Sequence, residues 1–168
     1  MKPCKSLIRF ILRFDNFLYR LIGKLAIKAE GGLHPKHRLM NYHKFFMDNI
    51  NSEDTVLDIG CGNGALTFEV GKKAKKVIGI DLSKKNIKLA KEKFSASNIE
   101  YLLGDATKDL PSQKFNTVIL SNILEHLENR IEFLRKVKEL APKILIRVPM
   151  INRDWITLYK KELGVEYR

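Results

Sequence analysis

Cysteine is scarce in this chain: Cys4 and Cys61 are the two among 168 residues, and they lie far apart. Such a pair makes neither a disulfide framework nor a zinc or iron cluster, so the sequence reads as a cytoplasmic protein without a metal site. Proline and glycine number five and ten and are scattered, which excludes collagen-like and low-complexity architectures. Acidic residues are in deficit, 19 against 31 Lys and Arg, for a formal net charge of +12. No uninterrupted run of about 20 apolar residues exists to cross a bilayer, and no small-residue cleavage site follows the first apolar stretch as in a secretory leader. What remains, 45% hydrophobic and 30% charged residues, is the composition of a folded domain that buries a core.

The charge is uneven. Residues 1–50 hold 10 Lys and Arg against 3 Asp and Glu, whereas residues 51–168 hold 21 against 16. From Lys2 to Lys28, Leu7, Phe10, Ile11, Phe14, Leu18, Leu21, Ile22 and Leu25 recur at helical spacing. Lys2, Lys5, Arg9, Arg13, Arg20 and Lys24 return on the opposite side, which gives a basic amphipathic helix. Gly31-Gly32 and the following Leu33-His34-Pro35 end it. Two readings of its apolar face stay open: it packs on the body of the protein or on a second copy in a homodimer, or it lies on an anionic membrane surface. Nucleic acid is a third option, disfavoured because no interleaved aromatic and basic motif of the RNA-binding modules is present.

A short helix over Tyr42 to Ile50 and a polar hinge at Asn51–Asp54 lead into an α/β alternation. The strands expected are Thr55–Ile59, Lys76–Ile80, Ile99–Leu103, Thr117–Ser121 and Ile144–Val148. Each is short and apolar on both faces, as a buried parallel strand must be. Helices are expected over Ala65–Ala74, Lys84–Phe94 with Ser83 as N-cap, and Asn129–Leu140. The fold class is therefore α/β with a doubly wound, mainly parallel sheet that binds its ligand beyond the strands' carboxyl ends. The domain division expected is 1–50 for the lead-in helices and 51–168 for the sheet domain.

The stretch Thr55–Thr67 carries the most information. Gly60, Gly62 and Gly64 let the backbone turn from strand to helix and approach a ligand closely. Asp58 precedes them, and Asp81 ends the second strand, where a carboxylate takes both hydroxyls of a ribose. A nucleoside-containing cofactor is implied. Gly60, Gly62 and Ala65 also fit the dinucleotide pattern, so the loop alone does not choose between cofactors.

Asp58-x-Gly60-x-Gly62-x-Gly64, Asp81, Gly104-Asp105-Ala106 and the run Phe115–His126 together resemble the class I S-adenosylmethionine-dependent methyltransferases, in order and at that family's spacing, over roughly residues 54–149. An acidic residue within the glycine motif suits a cofactor bearing a sulfonium and an ammonium, whereas a pyrophosphate would be repelled by it. The resemblance implies S-adenosyl-L-methionine as cofactor. Gly60 and Gly62 would approach its amino-acid and ribose portion, with Cys61 between them as a small packed residue without chemistry of its own. Asp81 would hold the ribose hydroxyls with Leu82 beside the adenine. Asp105 would accept from the adenine amino group, Ala106 would give a backbone contact, and Ser121 and Asn122 would lie near the methionine moiety.

Methyl displacement asks chiefly for alignment and exclusion of water, with a general base only where the acceptor must lose a proton early. The candidates for that role are Glu125 and His126 after the fourth strand, a pair that by the same resemblance would instead cap or orient the helix under the acceptor pocket, and His37 in the basic loop His34–Arg38, which either folds over the cofactor to meet an anionic group or is simply solvated. Arg147 and Arg153 are likewise candidates to meet an anionic acceptor, or else a surface carboxylate. The family's fold usually adds two more strands after the fifth, and only Asn152–Gly164 follows here as one expected helix, so the sheet is expected to lack them. A truncated chain, a partner copy or the first helix would each account for that edge. The activity expected is methyl transfer to a small-molecule, lipid-linked or glycan-precursor acceptor, at the inner face of the membrane if the first helix binds there. The alternatives are a catalytically poor cofactor-binding domain, a methyltransferase acting on protein or RNA, and, weakest, a dehydrogenase.

Overall fold

Mostly apolar segments suit parallel strands covered on both faces, and five of them build one sheet, the outer two, residues 99–103 and 143–147, being only part buried. A computed structural model describes residues 2–31, 35–148 and 162–163. It arranges β1 (Thr55–Ile59), β2 (Lys76–Asp81), β3 (Ile99–Leu103), β4 (Thr117–Ser121) and β5 (Lys143–Arg147) in the order β3-β2-β1-β4-β5. Every pairing is parallel, with Leu57 of β1 in register with Ile78 of β2 and Val118 of β4. The strand order reverses beside β1, which opens a crevice at the carboxyl ends of β1 and β4.

The alternation of side chains along these strands makes a core on each side. Val56, Val77, Ile119 and Leu145 face α3 (Tyr42–Asp48) and α4 (Ala65–Gly71), packing with Phe46, Leu66 and Val70. Tyr101 and Cys61 continue that side against Ile87 and Ala90 of α5 (Lys84–Lys93). Leu57, Ile59, Ile78, Ile80, Val118 and Leu120 point the other way, onto Phe133 and Val137 of α6 (Arg130–Leu140). Each fully buried Val, Leu or Ile among them contributes roughly 1.5–3 kcal/mol of transfer free energy. The doubly wound expectation holds.

Differences from the expected boundaries have local causes. β5 starts one residue early because the Lys143 backbone pairs with Thr117 while its ammonium reaches the Asn49 carbonyl at 2.5 Å. α4 closes at Gly71, since the amides of Lys72 and Lys73 turn tightly onto the carbonyls of Glu69 and Val70. Ser83 caps α5 as expected, its hydroxyl accepting from the Asn86 amide at 3.3 Å. Leu124–His126 forms a separate 3-10 turn ahead of α6.

The chain divides into two compact units, 1–41 with 154–168, and 42–153. In the first, α1 (Lys2–Ala29) is one continuous helix, and no helix among the described residues is long and apolar enough to cross a membrane. The expected loop His34–Arg38 is corrected in part: Lys36–Met40 is a short helix, α2, started by Pro35 at φ −57° and ended by Asn41 in the left-handed region. Proline's fixed φ already suits a first helical turn. Arg38 is engaged by Glu30 at 2.8 Å and Glu162 at 2.7 Å, whose hydrogen bonds raise its pKa above the ordinary guanidinium value. His34, Arg153 and most of the expected Asn152–Gly164 helix lie outside the described residues, as does the side chain of His37.

Candidate functional site

The site grows from the way β1 ends. Gly60 and Cys61 both donate their amides to the Ile80 carbonyl, at 2.7 and 3.1 Å, so the chain turns off the sheet while still tied to β2. Gly60 has φ +70°, and a Cβ there would overlap the Ile123 side chain that follows β4. The absence of a side chain therefore lets the loop lie against Ile123, and Gly60 itself forms part of the cleft wall. Gly62 donates its amide to Asp81 Oδ2 at 2.9 Å, which ties the loop to the end of β2.

Asp81 organises that end. Its Oδ1 accepts from the Ser83 amide at 2.8 Å and from Asn86 Nδ2 at 3.2 Å. These three donors fix the carboxylate in orientation before any ligand arrives. Leu82, the next residue, is 73% exposed. An apolar side chain held open beside an oriented carboxylate suits one face of a flat heterocycle next to a ribose.

Asp58 lies beneath the loop, 1% exposed, and accepts from Thr67 Oγ1 at 2.7 Å. Burial pushes its carboxyl up to about 7; the Thr67 hydrogen bond opposes that shift and the charge of Asp81 adds to it. Cys61 turns its side chain into the cluster of Ile87, Ala90 and Tyr101, and burial holds its thiol above its ordinary value. Only its backbone stays with the loop. Tyr101, in register with Gly79, fills the space that glycine leaves and donates to the Phe94 carbonyl at 2.9 Å, beneath α4 and α5.

Asp105 caps its own turn after β3. It accepts from the Thr107 hydroxyl at 2.7 Å and amide at 3.0 Å, bonds that together with Lys108 hold its carboxyl below the ordinary value. Gly60, Asp81, Leu82, Asp105, Ala106 and His126 line one cleft of about 190 Å³, whose apolar walls include Ile123 and Leu127. The glycine loop, the acid of β2, the turn after β3 and one of the proposed bases are thus brought together. A hollow of about 350 Å³ lined by Glu128, Asn129 and Lys136 contains none of the loop glycines and neither Asp81 nor Asp105.

Ser121 ends β4, and Asn122 follows in the left-handed region at φ +59°. The Asn122 amide donates to the Arg147 carbonyl at 2.8 Å, and its Oδ1 accepts from Arg147 Nη1 at 3.1 Å. The guanidinium also stands 4.0 Å over the Tyr42 ring. Arg147, a candidate for an anionic acceptor, is therefore built into the joint between β4, β5 and α3. Glu125 Oε2 is buried with no hydrogen-bond partner among the described residues. Such an oxygen is costly to leave unmade and suits a ligand donor. No group of His, Cys, Asp and Glu that would hold a metal occurs among the described residues.

Sequence reasoning passed over Thr67, Asn86, Tyr101 and Ile123. A threonine in the first turn of α4, directed back at a buried strand carboxylate, and a tyrosine opposite a strand glycine are signals that only the register reveals. The residues present fit S-adenosylmethionine: an oriented carboxylate, an open apolar side chain beside it, and a glycine at the cleft wall where a side chain would strike Ile123.

A methyltransferase-domain family profile matches residues 50–152. Among curated relatives, a Methanococcus maripaludis strain C7 protein named "Probable cobalt-precorrin-6B C(15)-methyltransferase (decarboxylating)" is 43% identical over 94 residues, which are 54% of this chain and 51% of that protein. A ubiquinone biosynthesis O-methyltransferase of Bradyrhizobium diazoefficiens is 33% identical over 115 residues, 67% of this chain and 46% of that one. The chain thus spans about half the length of these relatives. Among solved structures, coclaurine N-methyltransferase bound to N-methylheliamine and S-adenosylhomocysteine superposes with a TM-score of 0.58 at 24% identity, over 64% of this chain and 35% of that one. With the strand order, the glycine loop and the family match in agreement, the chain belongs to the methyltransferase-domain family and has the class I S-adenosylmethionine-dependent methyltransferase fold.

Proposed function

We propose that this protein transfers a methyl group from S-adenosylmethionine to a small-molecule acceptor. The observation that carries the reading is the convergence of Gly60, Asp81, Leu82, Asp105 and Ala106 on one cleft at the carboxyl ends of β1, β2 and β3. When bound, the cofactor supplies an electrophilic methyl group on a sulfonium. Asp81 receives the ribose hydroxyls, Leu82 covers the adenine, and Asp105 with the Ala106 amide reads its edge. The peptides of Gly60 and Gly62 approach the amino-acid and ribose portion, and Ser121 and Asn122 border the methionine part. Asp58, joined to Thr67, supports the loop from below. Glu125 Oε2 offers an acceptor to a ligand ammonium or to an acceptor proton, and His126 stands at the cleft wall as the second candidate base.

Holding the donor in one orientation and excluding water is the greater part of what such a displacement needs. The relatives named for a cobalt-precorrin and for ubiquinone biosynthesis support a small organic acceptor, with lipid-linked and glycan-precursor molecules within the same class. The test is transfer of labelled methyl from S-adenosylmethionine into a fractionated small-molecule extract. Label in a low-mass fraction that depends on Asp81 supports the reading; label only in protein or RNA, or none from a folded chain that binds the cofactor, overturns it.

A further inference from the structure

The most conspicuous feature outside the cleft is the outer surface of α1. Leu7, Ile11, Phe14, Leu18, Leu21 and Leu25 follow one another at steps of four and three, and each is between 38% and 60% exposed. Phe14 and Phe17 stack at 6.4 Å on that surface. Contiguous exposed apolar side chains of this extent mark an interaction face rather than chance exposure.

The composition of the helix narrows the partner. Its 28 residues include seven Lys and Arg against a single acid, Asp15. At 100° per residue, Lys5, Arg9, Arg13, Arg20 and Lys24 fall on the arc opposite the apolar stripe, and all five are exposed. A two-stranded coiled coil would carry charged residues on both flanks of the seam. Here Ile8, Phe10, Phe17 and Ile22 occupy flanking positions, so the apolar arc is broader than a two-helix seam. A second copy would also bring a helix of the same strongly positive charge alongside.

We propose that α1 lies along an anionic bilayer surface, its aromatic and aliphatic arc among the acyl-chain tops and its basic side chains reaching the headgroup phosphates. A helix of 28 residues extends roughly 42 Å along that plane, and its wide apolar arc, basic polar face and lack of a spanning run are the properties of interfacial helices. The inference stands apart from methyl transfer and does not rest on the reading of the cleft.

The test is flotation of the full chain with vesicles of phosphatidylcholine containing about one-third phosphatidylglycerol, beside vesicles of phosphatidylcholine alone. Each basic residue near an anionic surface contributes about fivefold, so the five opposite the apolar stripe should make partitioning differ between the two vesicles by on the order of a thousandfold, an effect that weakens with salt. The double variant Phe14→Glu, Leu18→Glu should lose flotation while keeping its circular dichroism and unfolding midpoint. The variant Arg9→Gln, Arg13→Gln, Arg20→Gln, which leaves the apolar stripe intact, should reduce the preference for anionic vesicles by about a hundredfold. Failure of the full chain to float, or flotation indifferent to both variants, overturns the inference. A dimer broken by the glutamate variant without vesicle binding assigns the stripe to a second copy, and a lowered unfolding midpoint assigns it to packing on the protein body; either result overturns it as well.

Discussion

Asp58 gives a prediction whose size follows from its surroundings. Its carboxyl is buried, with Thr67 as hydrogen-bond donor, and is pushed up to about 7 from an ordinary 3.8. A raised carboxyl in the folded state means that, between these two values, the folded protein holds a proton the unfolded chain has released. Stability therefore falls as pH rises across that window, the contribution being fully present below the unfolded value and lost above the folded one. At 1.36 kcal/mol per unit, the loss between about pH 4.5 and about pH 7.5 amounts to about 3 kcal/mol. Asp58→Asn removes the titration while keeping an oxygen for the Thr67 hydroxyl. Urea unfolding of both proteins across this range should show the variant gaining about 3 kcal/mol on the wild type as the pH rises, whatever its offset at the acid end. Parallel stability curves would refute the account of Asp58 as a desolvated carboxyl.

Asp81→Ala should weaken S-adenosylhomocysteine binding by about 2–3 kcal/mol, the value of hydrogen bonds to a charged group, read by calorimetry; unchanged affinity would remove Asp81 from the ribose site. Gly60→Ala should cost about 1–2 kcal/mol for its left-handed backbone and more for the overlap with Ile123, whereas Gly62→Ala, with open space around its Cβ, should show the backbone part alone. Equal unfolding midpoints for the two would contradict the packing described. Tyr101→Phe should destabilise by about 1 kcal/mol, because the Phe94 carbonyl loses its hydroxyl donor while the Gly64 carbonyl keeps the Phe68 amide.

What was legible in the sequence was what local chemistry alone dictates. β1, β3 and β4 lie where their short, β-branched or Leu-rich segments predict, and Ser83 caps α5 because a hydroxyl before a helical run has few better uses. The carboxylates and glycines of the cleft were readable because a ligand reached by backbone constrains residue type at fixed spacing. α2 was hidden since five residues carry too little periodicity to register, and Pro35 reads equally as a break or a first turn. The Thr67–Asp58 and Tyr101–Phe94 bonds were hidden because they join segments whose proximity depends on the register of β1, β2 and β3. Asp105 was named for its position, but its bonds to Thr107 show it also makes its own turn. Arg147 reads in sequence as a candidate to meet an anionic acceptor or a surface carboxylate, and in the structure it bonds Asn122 and stands over the Tyr42 ring.

The central claim is that the cleft at the ends of β1, β2 and β3 is the cofactor site, and the most direct measurement is a crystal structure of the full chain with S-adenosylhomocysteine, grown with NAD as a competitor. The account predicts the adenosyl ligand with its ribose on Asp81, its adenine against Leu82 beside Asp105, and its amino-acid end along the Gly60–Gly62 peptides. NAD in that place, the ligand elsewhere on the protein, or a folded chain that takes up neither would contradict it.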